Sequence, residues 1–378
     1  MPKIYLHHLN LYQEAEQNFV PAAVVIAAGT ICAFGDIPVP ADADQVIDCG
    51  GGYLMPGFID CHTHLSLDCT LTDYLERMNG SREALTEIAL DTLRRDLYSG
   101  VTAQRCMGDR FYIDTQMKQA VARGDVVGPR LFVSGIGMRS PKGFGYVGMP
   151  VEGDDILKTI RQNVDEGADW IKFYETATTL QDGVAVAYYD EAEIGTMIRA
   201  AHALGKPVTS HCIGGEGLKA SIRQGIDCIE HAYFITEDEI RLMQDAGTWF
   251  CMTAGEYFTD KENAPAAYQE KLRQNRARVS ESMGNILASS IPFVLGTDGI
   301  HARLYEEAQY AAFFGASKAA VLRAITSNAA KLLGAEKEIG RIQKGYRADL
   351  VLLDGNPFVD LGALSQIQQV YQAGNPVL

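Results

Sequence analysis

The chain has 378 residues, of which 47% are hydrophobic and 21% charged, the balance of a globular protein with a large core. This length exceeds the usual 100–200 residues of one domain and predicts two domains or one large barrel. The 33 basic and 48 acidic residues give a formal charge of -15, which disfavours nucleic acids and membrane surfaces as partners.

The eight cysteines are scattered along the chain and never stand in a CxxC spacing. Five of them lie in apolar runs typical of buried strands: Cys61, Cys106, Cys212, Cys228 and Cys251. Free thiols indicate a reducing compartment, and the sequence shows neither a signal-peptide pattern nor 18 consecutive apolar residues. We therefore expect a cytoplasmic protein that acts on a small molecule and assembles as a homo-oligomer.

Short apolar runs and amphipathic stretches alternate eight times between residues 54 and 334. The predicted strands are residues 57–62, 101–106, 130–134, 170–174, 207–212, 227–232, 248–253 and 292–297. Helical periodicity separates them, for example in 190–205 and 236–247, which begin with acidic residues and end at glycine. Because no glycine-rich phosphate loop occurs, the pattern predicts an α/β fold of the (β/α)₈ TIM barrel type rather than a doubly wound sheet.

Both chain ends differ from this central part. Residues 1–53 and 340–378 contain strand-like runs interrupted by glycine, proline and aspartate, without helical periodicity. Two β-rich ends that flank one barrel predict a single small β domain built from both termini. The barrel domain would then comprise residues 54–339.

Reactive side chains fall at the carboxyl ends of the predicted strands, where barrel proteins build their active sites. His62 and His64 close the first strand, and their spacing of two places both rings on one face. The other candidates are Lys172 in the fourth strand and His211, His231 and Asp298 at the ends of the fifth, sixth and eighth. Each alone has an ordinary structural explanation, but their convergence at one barrel mouth favours a metal centre.

Several motifs carry a resemblance to a known superfamily. They are MPGFIDCHTHL (55–65), IKFY (171–174), SHC (210–212), EHA (230–232) and GTDG (296–299). Together they resemble the amidohydrolase superfamily, and residues 324–357 are similar to its imidazolonepropionase- and prolidase-like branch. The resemblance implies a (β/α)₈ barrel with a small β-sandwich domain formed by both chain ends.

The resemblance also implies a metal-dependent hydrolase that cleaves the amide C–N bond of a small molecule. N-acyl amino acids, dipeptides and cyclic amides are the substrate types it suggests. In such enzymes two Zn²⁺ ions bind per subunit. Here the more buried ion would be held by His62, His64 and Asp298, and the second by His211 and His231.

Lys172 occupies the position at which a lysine of this superfamily is often carboxylated by CO₂. The resulting carbamate is an anionic bidentate group that two metal ions can share. A water activated by the metals as hydroxide would attack the amide carbonyl. Asp298 would accept the proton of that water and pass it to the leaving nitrogen.

Two other functions are open at this point. A mononuclear deaminase of the same superfamily commonly carries glutamate three residues after the strand-5 histidine. Here Glu216 follows His211 by five residues, in a glycine-rich turn. A non-catalytic scaffold that kept the fold would have lost metal ligands, and none is missing from this sequence. Both features favour the hydrolase.

Substrate identity depends on the loops that follow the strands. The loop after the third strand, residues 135–148, lacks the glycine-flanked histidine that relatives often show, and offers Arg139 and Lys142. Tyr233 directly follows the sixth strand. A cation and a phenol beside metals predict a substrate carboxylate at Arg139 or Lys142 and a hydrogen bond from Tyr233 to the carbonyl oxygen. Equally, both cations could be solvated loop charges.

Overall fold

Strands are found along the whole chain in the computed structural model, which describes residues 2–142, 155–261 and 263–377. In chain order they are β1 (Ile4–Gln13), β2 (Asn18–Ala27), β3 (Thr30–Gly35), β4 (Gln45–Asp48), β5 (Tyr53–Pro56), β6 (Phe58–Thr63), β7 (Val101–Cys106), β8 (Arg130–Phe132), β9 (Met138–Arg139), β10 (Ile171–Tyr174), β11 (Val208–Cys212), β12 (Cys228–His231), β13 (Trp249–Met252), β14 (Phe293–Leu295), β15 (Leu350–Leu353), β16 (Ile367–Gln372) and β17 (Asn375–Pro376).

Helices separate most strands of the central part. In chain order they are α1 (Tyr74–Arg77), α2 (Arg82–Tyr98), α3 (Ile113–Arg123), α4 (Ile156–Asp165), α5 (Glu191–Ala203), α6 (Glu216–Arg223), α7 (Glu237–Ala246), α8 (Gly255–Phe258), α9 (Ala266–Leu287), α10 (Leu304–Phe313), α11 (Lys318–Ala324) and α12 (Ser327–Leu332). Two short 3₁₀ helices lie at Arg110–Tyr112 and Leu361–Ser365.

Strands from both chain ends share one sheet. Its order is β17-β16-β15-β5-β1-β2-β3, and β4 pairs with the other part of β1. The two ends meet where β15 runs antiparallel to β5, with Leu352 opposite Leu54. Both of these leucines are buried, so the contact that joins the chain ends is apolar.

All pairings among β6–β14 are parallel. They form a three-stranded sheet, β6-β7-β8, and a six-stranded sheet, β14-β13-β12-β11-β10-β9. Hydrogen bonds join these sheets on both sides. The amide of Asp298, beyond β14, donates to the carbonyl of His62 at 2.7 Å, and the amide of Trp170 donates to the carbonyl of Val133 at 3.2 Å. All eight strands predicted for the central part are present, with ends that differ by at most two residues.

The third of these strands differs from the prediction because it is divided. β8 pairs with β7, and the chain then bends at Gly135, whose φ of +70° favours glycine. The carboxylate of Asp114 accepts the amides of Ser134 and Gly135, and the Asn163 side chain accepts the amide of Ile136. After this bend β9 pairs with β10, which places the end of β9 beside the end of β10.

Two of the helices begin with the acidic first turn that the sequence predicts. Asp190 caps α5 and Thr236 caps α7, each accepting an amide three residues on. The carboxylates of Glu193 and Glu239 accept the amides of the two cap residues, which completes a capping box at each helix. The Glu239 carboxylate also accepts the amide of Gly215 and so ties the start of α7 to the loop after β11.

All eight cysteines are free thiols, and the five placed in predicted strands are buried in β6, β7, β11, β12 and β13. Among the helices of the described residues, none combines the length and apolar character needed to cross a bilayer.

Candidate metal centre

Four histidine rings lie together at the carboxyl ends of the parallel strands. Ring centroids are 5.5 Å apart for His62 and His64, 4.9 Å for His62 and His231, and 4.3 Å for His211 and His231. Burial lowers the pKa of His62 to about 4 and of His64 to about 3, and the pKa values of the other two fall well below their usual range. All four rings are therefore neutral at pH 7, the state in which imidazole binds metals.

Asp298 joins this group from the loop after β14. Its Oδ1 lies 3.8 Å from Nε2 of His62 and 3.7 Å from Nε2 of His64. The backbone of Asp298 has a φ of +58°, and that of His231 a φ of +76°. Such left-handed conformations are uncommon for these residue types and turn the chain sharply at the strand ends. As a result His62, His231 and Asp298 present ligand atoms within 4.8 Å of one another.

Lys172 of β10 is fully buried near these rings. Burial lowers the pKa of its amine to about 8, and its charge contributes to the lowered pKa values of the histidines. Within the described residues, Lys172 Nζ, His231 Nε2 and Asp298 Oδ1 are buried without a hydrogen-bond partner. Buried polar atoms almost always have partners, so three such atoms in one place are suited to binding a metal ion. Imidazole nitrogens with a carboxylate form a donor set that fits Zn²⁺.

The second nitrogen of each of three rings is anchored to the protein. Nδ1 of His62 donates to Glu230 at 2.7 Å, Nδ1 of His64 donates to the Gly108 carbonyl at 2.6 Å, and Nδ1 of His231 lies 2.6 Å from the Thr253 hydroxyl. These contacts leave Nε2 of each ring available to a metal ion. Sequence reasoning missed Glu230, although it stands inside the EHA motif.

Arg139 lies beside this centre at the end of β9. It is 6% exposed, its Cζ lies 4.8 Å from the ring centroid of Tyr174, and its Nε has no partner among the described residues. Arg139, His64 and Tyr174 line a cavity of about 30 Å³, enough for a small polar group. Residues 143–148 of the loop named in the sequence analysis lie outside the described residues.

Two other predicted substrate contacts point elsewhere in this structure. Lys142 Nζ lies 3.0 Å from both carboxylate oxygens of Glu193 on α5, and its side chain is 60% exposed. The Tyr233 hydroxyl is fully buried, donates to the Thr253 carbonyl at 2.9 Å and lies 3.3 Å from Nδ1 of His231. The Tyr233 hydroxyl is therefore already hydrogen-bonded within the protein, and it lies next to Nδ1 of His231, the nitrogen that faces away from the centre.

Glu216, the residue relevant to the deaminase alternative, is the first residue of α6. Its side chain is 78% exposed and pairs with Lys219 at 2.7 Å. An exposed carboxylate in a surface ion pair is not a proton donor to a buried substrate ring. This placement favours the hydrolase over the deaminase.

His301 holds together the two loops that border the centre. Its Nδ1 lies 2.8 Å from Asp96 and its Nε2 lies 2.9 Å from the Leu67 carbonyl and 3.2 Å from the His64 carbonyl. Burial disfavours the charged ring, but the charge and hydrogen bond of Asp96 outweigh it and raise the pKa of His301 to about 9. Both ring nitrogens face acceptors, so the ring is a buried imidazolium at neutral pH.

The His301 pair is expected to make stability depend on pH. Below pH 6.5 the ring is protonated in both folded and unfolded chains, so the pair contributes fully, by about 3 kcal/mol. The contribution falls as pH rises from 6.5 and is lost above pH 9. Urea unfolding of the wild type and of His301→Gln should therefore show a stability difference that narrows from pH 6 to pH 9.5.

His202→Gln is a suitable control, since His202 is 41% exposed and pairs with Asp227 on the surface. Such pairs contribute less than about 1 kcal/mol. The difference in unfolding free energy between His202→Gln and the wild type should therefore change little with pH. If the difference in unfolding free energy between His301→Gln and the wild type were the same at pH 6 and pH 9.5, a charged His301–Asp96 pair would be ruled out.

Comparison with known proteins gives consistent results. Residues 53–378 match the amidohydrolase family. Imidazolonepropionase of Rhizobium meliloti is 27% identical over 349 residues, which cover 82% of this chain and 79% of that protein. Ochratoxinase of Aspergillus niger is 22% identical over 360 residues, covering 84% of this chain and 73% of that protein. The structure of a prolidase complexed with N-methylphosphonate-L-proline superposes with a TM-score of 0.86 at 25% identity, covering 99% of both chains.

Proposed function

The chain belongs to the amidohydrolase family, and on that premise we propose that it is a metal-dependent hydrolase of an amide C–N bond in a small molecule. The observation that carries the proposal is the group of buried, unpartnered polar atoms of Lys172, His231 and Asp298 beside three further neutral histidines. N-acyl amino acids, dipeptides and cyclic amides are the proposed substrates. The relatives include an imidazolonepropionase, an ochratoxinase and a prolidase.

Several structural expectations form part of this proposal. The two parallel sheets would close into a (β/α)₈ barrel of residues 54–339, and residues 1–53 and 340–378 would form a β-sandwich domain. The hydrogen bonds between the sheets and the shared terminal sheet support this arrangement. A cytoplasmic location, consistent with eight free thiols, and a homo-oligomeric state belong to the same proposal.

We propose that two Zn²⁺ ions bind per subunit. The proposed ligands are His62, His64 and Asp298 for one ion, His211 and His231 for the other, and a carbamate of Lys172 for both. When bound, zinc supplies a Lewis acid and lowers the pKa of water towards 7. The neutral histidines add no positive charge to the centre, so the ligand set favours dications.

Asp298 is the proposed catalytic acid and base. Its Oδ1 has no hydrogen-bond partner in the described chain, although it lies in the middle of the histidine cluster. A carboxylate in this position can take a proton from the attacking water and deliver it to the departing nitrogen. The backbone amide of Asp298 donates to the His62 carbonyl at 2.7 Å, which holds the residue beside the histidine rings.

Arg139 is the proposed contact for a substrate carboxylate. The guanidinium is buried next to His64 with an unpartnered Nε, so a carboxylate there would compensate a buried charge. Arg139→Met is expected to lower kcat/KM at least tenfold, about 1.4 kcal/mol, for an N-acyl amino acid but not for its neutral amide counterpart. Lys142→Met is the matched control, since Lys142 is paired with Glu193 on the surface. Equal losses on both substrates would contradict the assignment.

The proposed activity is tested with Zn²⁺-loaded protein and a panel of N-acyl amino acids, dipeptides and cyclic amides. Elemental analysis of the same sample gives the metal content per subunit. We expect about two zinc ions and release of a free amine and a carboxylic acid from at least one substrate class. Release of ammonia from an aminated ring would support the deaminase instead. Protein that binds no zinc tightly would support the scaffold.

A further inference from the structure

A buried carboxylate lies directly behind one of the proposed metal ligands. Glu230 of β12 is fully buried and accepts three hydrogen bonds from different strands. His62 Nδ1 donates to Oε2 at 2.7 Å, Arg105 Nη2 donates to Oε1 at 2.6 Å, and the Thr209 hydroxyl also donates to Oε1. The two oxygens therefore differ in their partners. Oε2 binds the His62 ring, whereas the hydrogen bonds of Arg105 and Thr209 to Oε1 fix the orientation of the carboxylate.

Arg105, which donates to Glu230, is itself held in place by several contacts. It lies in β7, is fully buried, donates from Nε to the Cys61 carbonyl at 2.6 Å and stacks over Trp170 with its Cζ 4.6 Å from the ring centroid. The Arg105 guanidinium and the Glu230 carboxylate lie 2.6 Å apart and are both fully buried, and a buried guanidinium requires a charged partner of opposite sign. Glu230 therefore stays ionised and can only accept hydrogen bonds.

We propose that Glu230, oriented by Arg105 and Thr209, is a positioning residue that sets the tautomer of His62. A carboxylate has no proton to donate, so the proton of the neutral ring must sit on Nδ1. Nε2 is then left with its lone pair on the side of Asp298, 3.8 Å from Oδ1. The consequence for metal affinity rests on the proposed function, whereas the tautomer is a property of the protein without metal.

Glu230→Gln is the informative substitution because it keeps the shape of the side chain. Arg105 and Thr209 are donors and require an acceptor, so the amide oxygen of Gln would face them. The amide NH₂ would then face Nδ1 of His62, and the ring would have to carry its proton on Nε2. This tautomer cannot bind a metal through Nε2. Loss of such supporting contacts typically lowers metal affinity about 10–100-fold.

Glu175→Gln is the matched control. Glu175 follows β10, is fully buried, and its two oxygens have no hydrogen-bond partner among the described residues. Gln reproduces the shape of this side chain, and among the described residues no hydrogen bond joins the Glu175 carboxyl to a histidine ring. Thr209→Val is a milder second variant, since it removes only the hydroxyl that orients Oε1.

The test uses the full chain in two states. In metal-free protein, ¹⁵N–¹H NMR of the histidine rings should show an Nδ1–H form for His62 in the wild type and in Glu175→Gln, and an Nε2–H form in Glu230→Gln. In metal-loaded protein, competition with a chromophoric chelator should show zinc binding 10–100-fold weaker in Glu230→Gln and severalfold weaker in Thr209→Val. Glu175→Gln should stay within about twofold of the wild type.

The proposal is wrong if His62 keeps its Nδ1 proton in Glu230→Gln, or if that variant binds zinc as the wild type does. Should Glu230→Gln not fold, Thr209→Val decides in the same way, and an unchanged zinc affinity in it overturns the proposal. A wild type that binds zinc but hydrolyses no amide would contradict the proposed function alone.

Discussion

Replacement of His62 and His64 by alanine is expected to remove bound metal and hydrolysis together. Both rings come from the end of one strand, and in both the Nδ1 atom is anchored while Nε2 lies within 4 Å of Asp298 Oδ1. Without them only Asp298 and the proposed Lys172 carbamate remain for that ion, fewer than the three protein ligands typical of a catalytic zinc site. We expect kcat/KM to fall by about 10³-fold or more, equivalent to about 4 kcal/mol of transition-state stabilisation.

Elemental analysis and substrate hydrolysis, measured on the same preparation, check this expectation. His202→Ala is the control, because His202 lies on α5 and pairs on the surface with Asp227, at the amino ends of β11 and β12. It should keep both the metal and the activity. A double variant that retains its metal and full turnover would show that these two histidines do not form the centre.

The sequence was sufficient to predict the strands of the central part, because buried parallel strands appear as short apolar runs between helical periods. It did not predict β9. The bend that separates β9 from β8 depends on the side chains of Asp114 and Asn163, which lie on α3 and α4 and reach the backbone only after folding. Such long-range contacts leave no periodic pattern in the sequence.

Candidate ligands could also be predicted, since a histidine pair spaced by two and reactive residues at strand ends are local features. The residues that orient these ligands could not be predicted from the sequence. Glu230 and Arg105 act across the interior from β12 and β7, 125 residues apart in the chain. The sequence left Lys142 open between a substrate contact and a solvated loop charge, and its pairing with Glu193 on α5 is set by the tertiary structure. The position of a residue in the sequence predicts where its backbone lies, but contacts with distant residues determine the direction of its side chain.

Lys172→Ala is expected to abolish activity, and short carboxylic acids are expected to restore part of it. Burial lowers the pKa of the Lys172 amine to about 8, so a substantial neutral fraction exists at physiological pH. A neutral amine can form an N–C bond to CO₂, releasing one proton to solvent and leaving an anionic carbamate. The unpartnered Nζ beside four histidines supports such a modification, because a protonated lysine there would repel two dications.

Alanine at position 172 would leave space where the carbamate is proposed to lie, and acetate or formate could enter it and supply the same two oxygens. Acetamide matches acetate in shape but carries no charge, so it should not restore hydrolysis. We expect kcat to fall about 10³-fold, near 4 kcal/mol, and to recover by at least tenfold with acetate. Full activity of Lys172→Ala would contradict the proposal that a Lys172 carbamate binds both metal ions. So would a metal-loaded crystal structure in which an unmodified Lys172 amine points away from the metals, since an amine so placed contributes neither charge nor oxygen ligands.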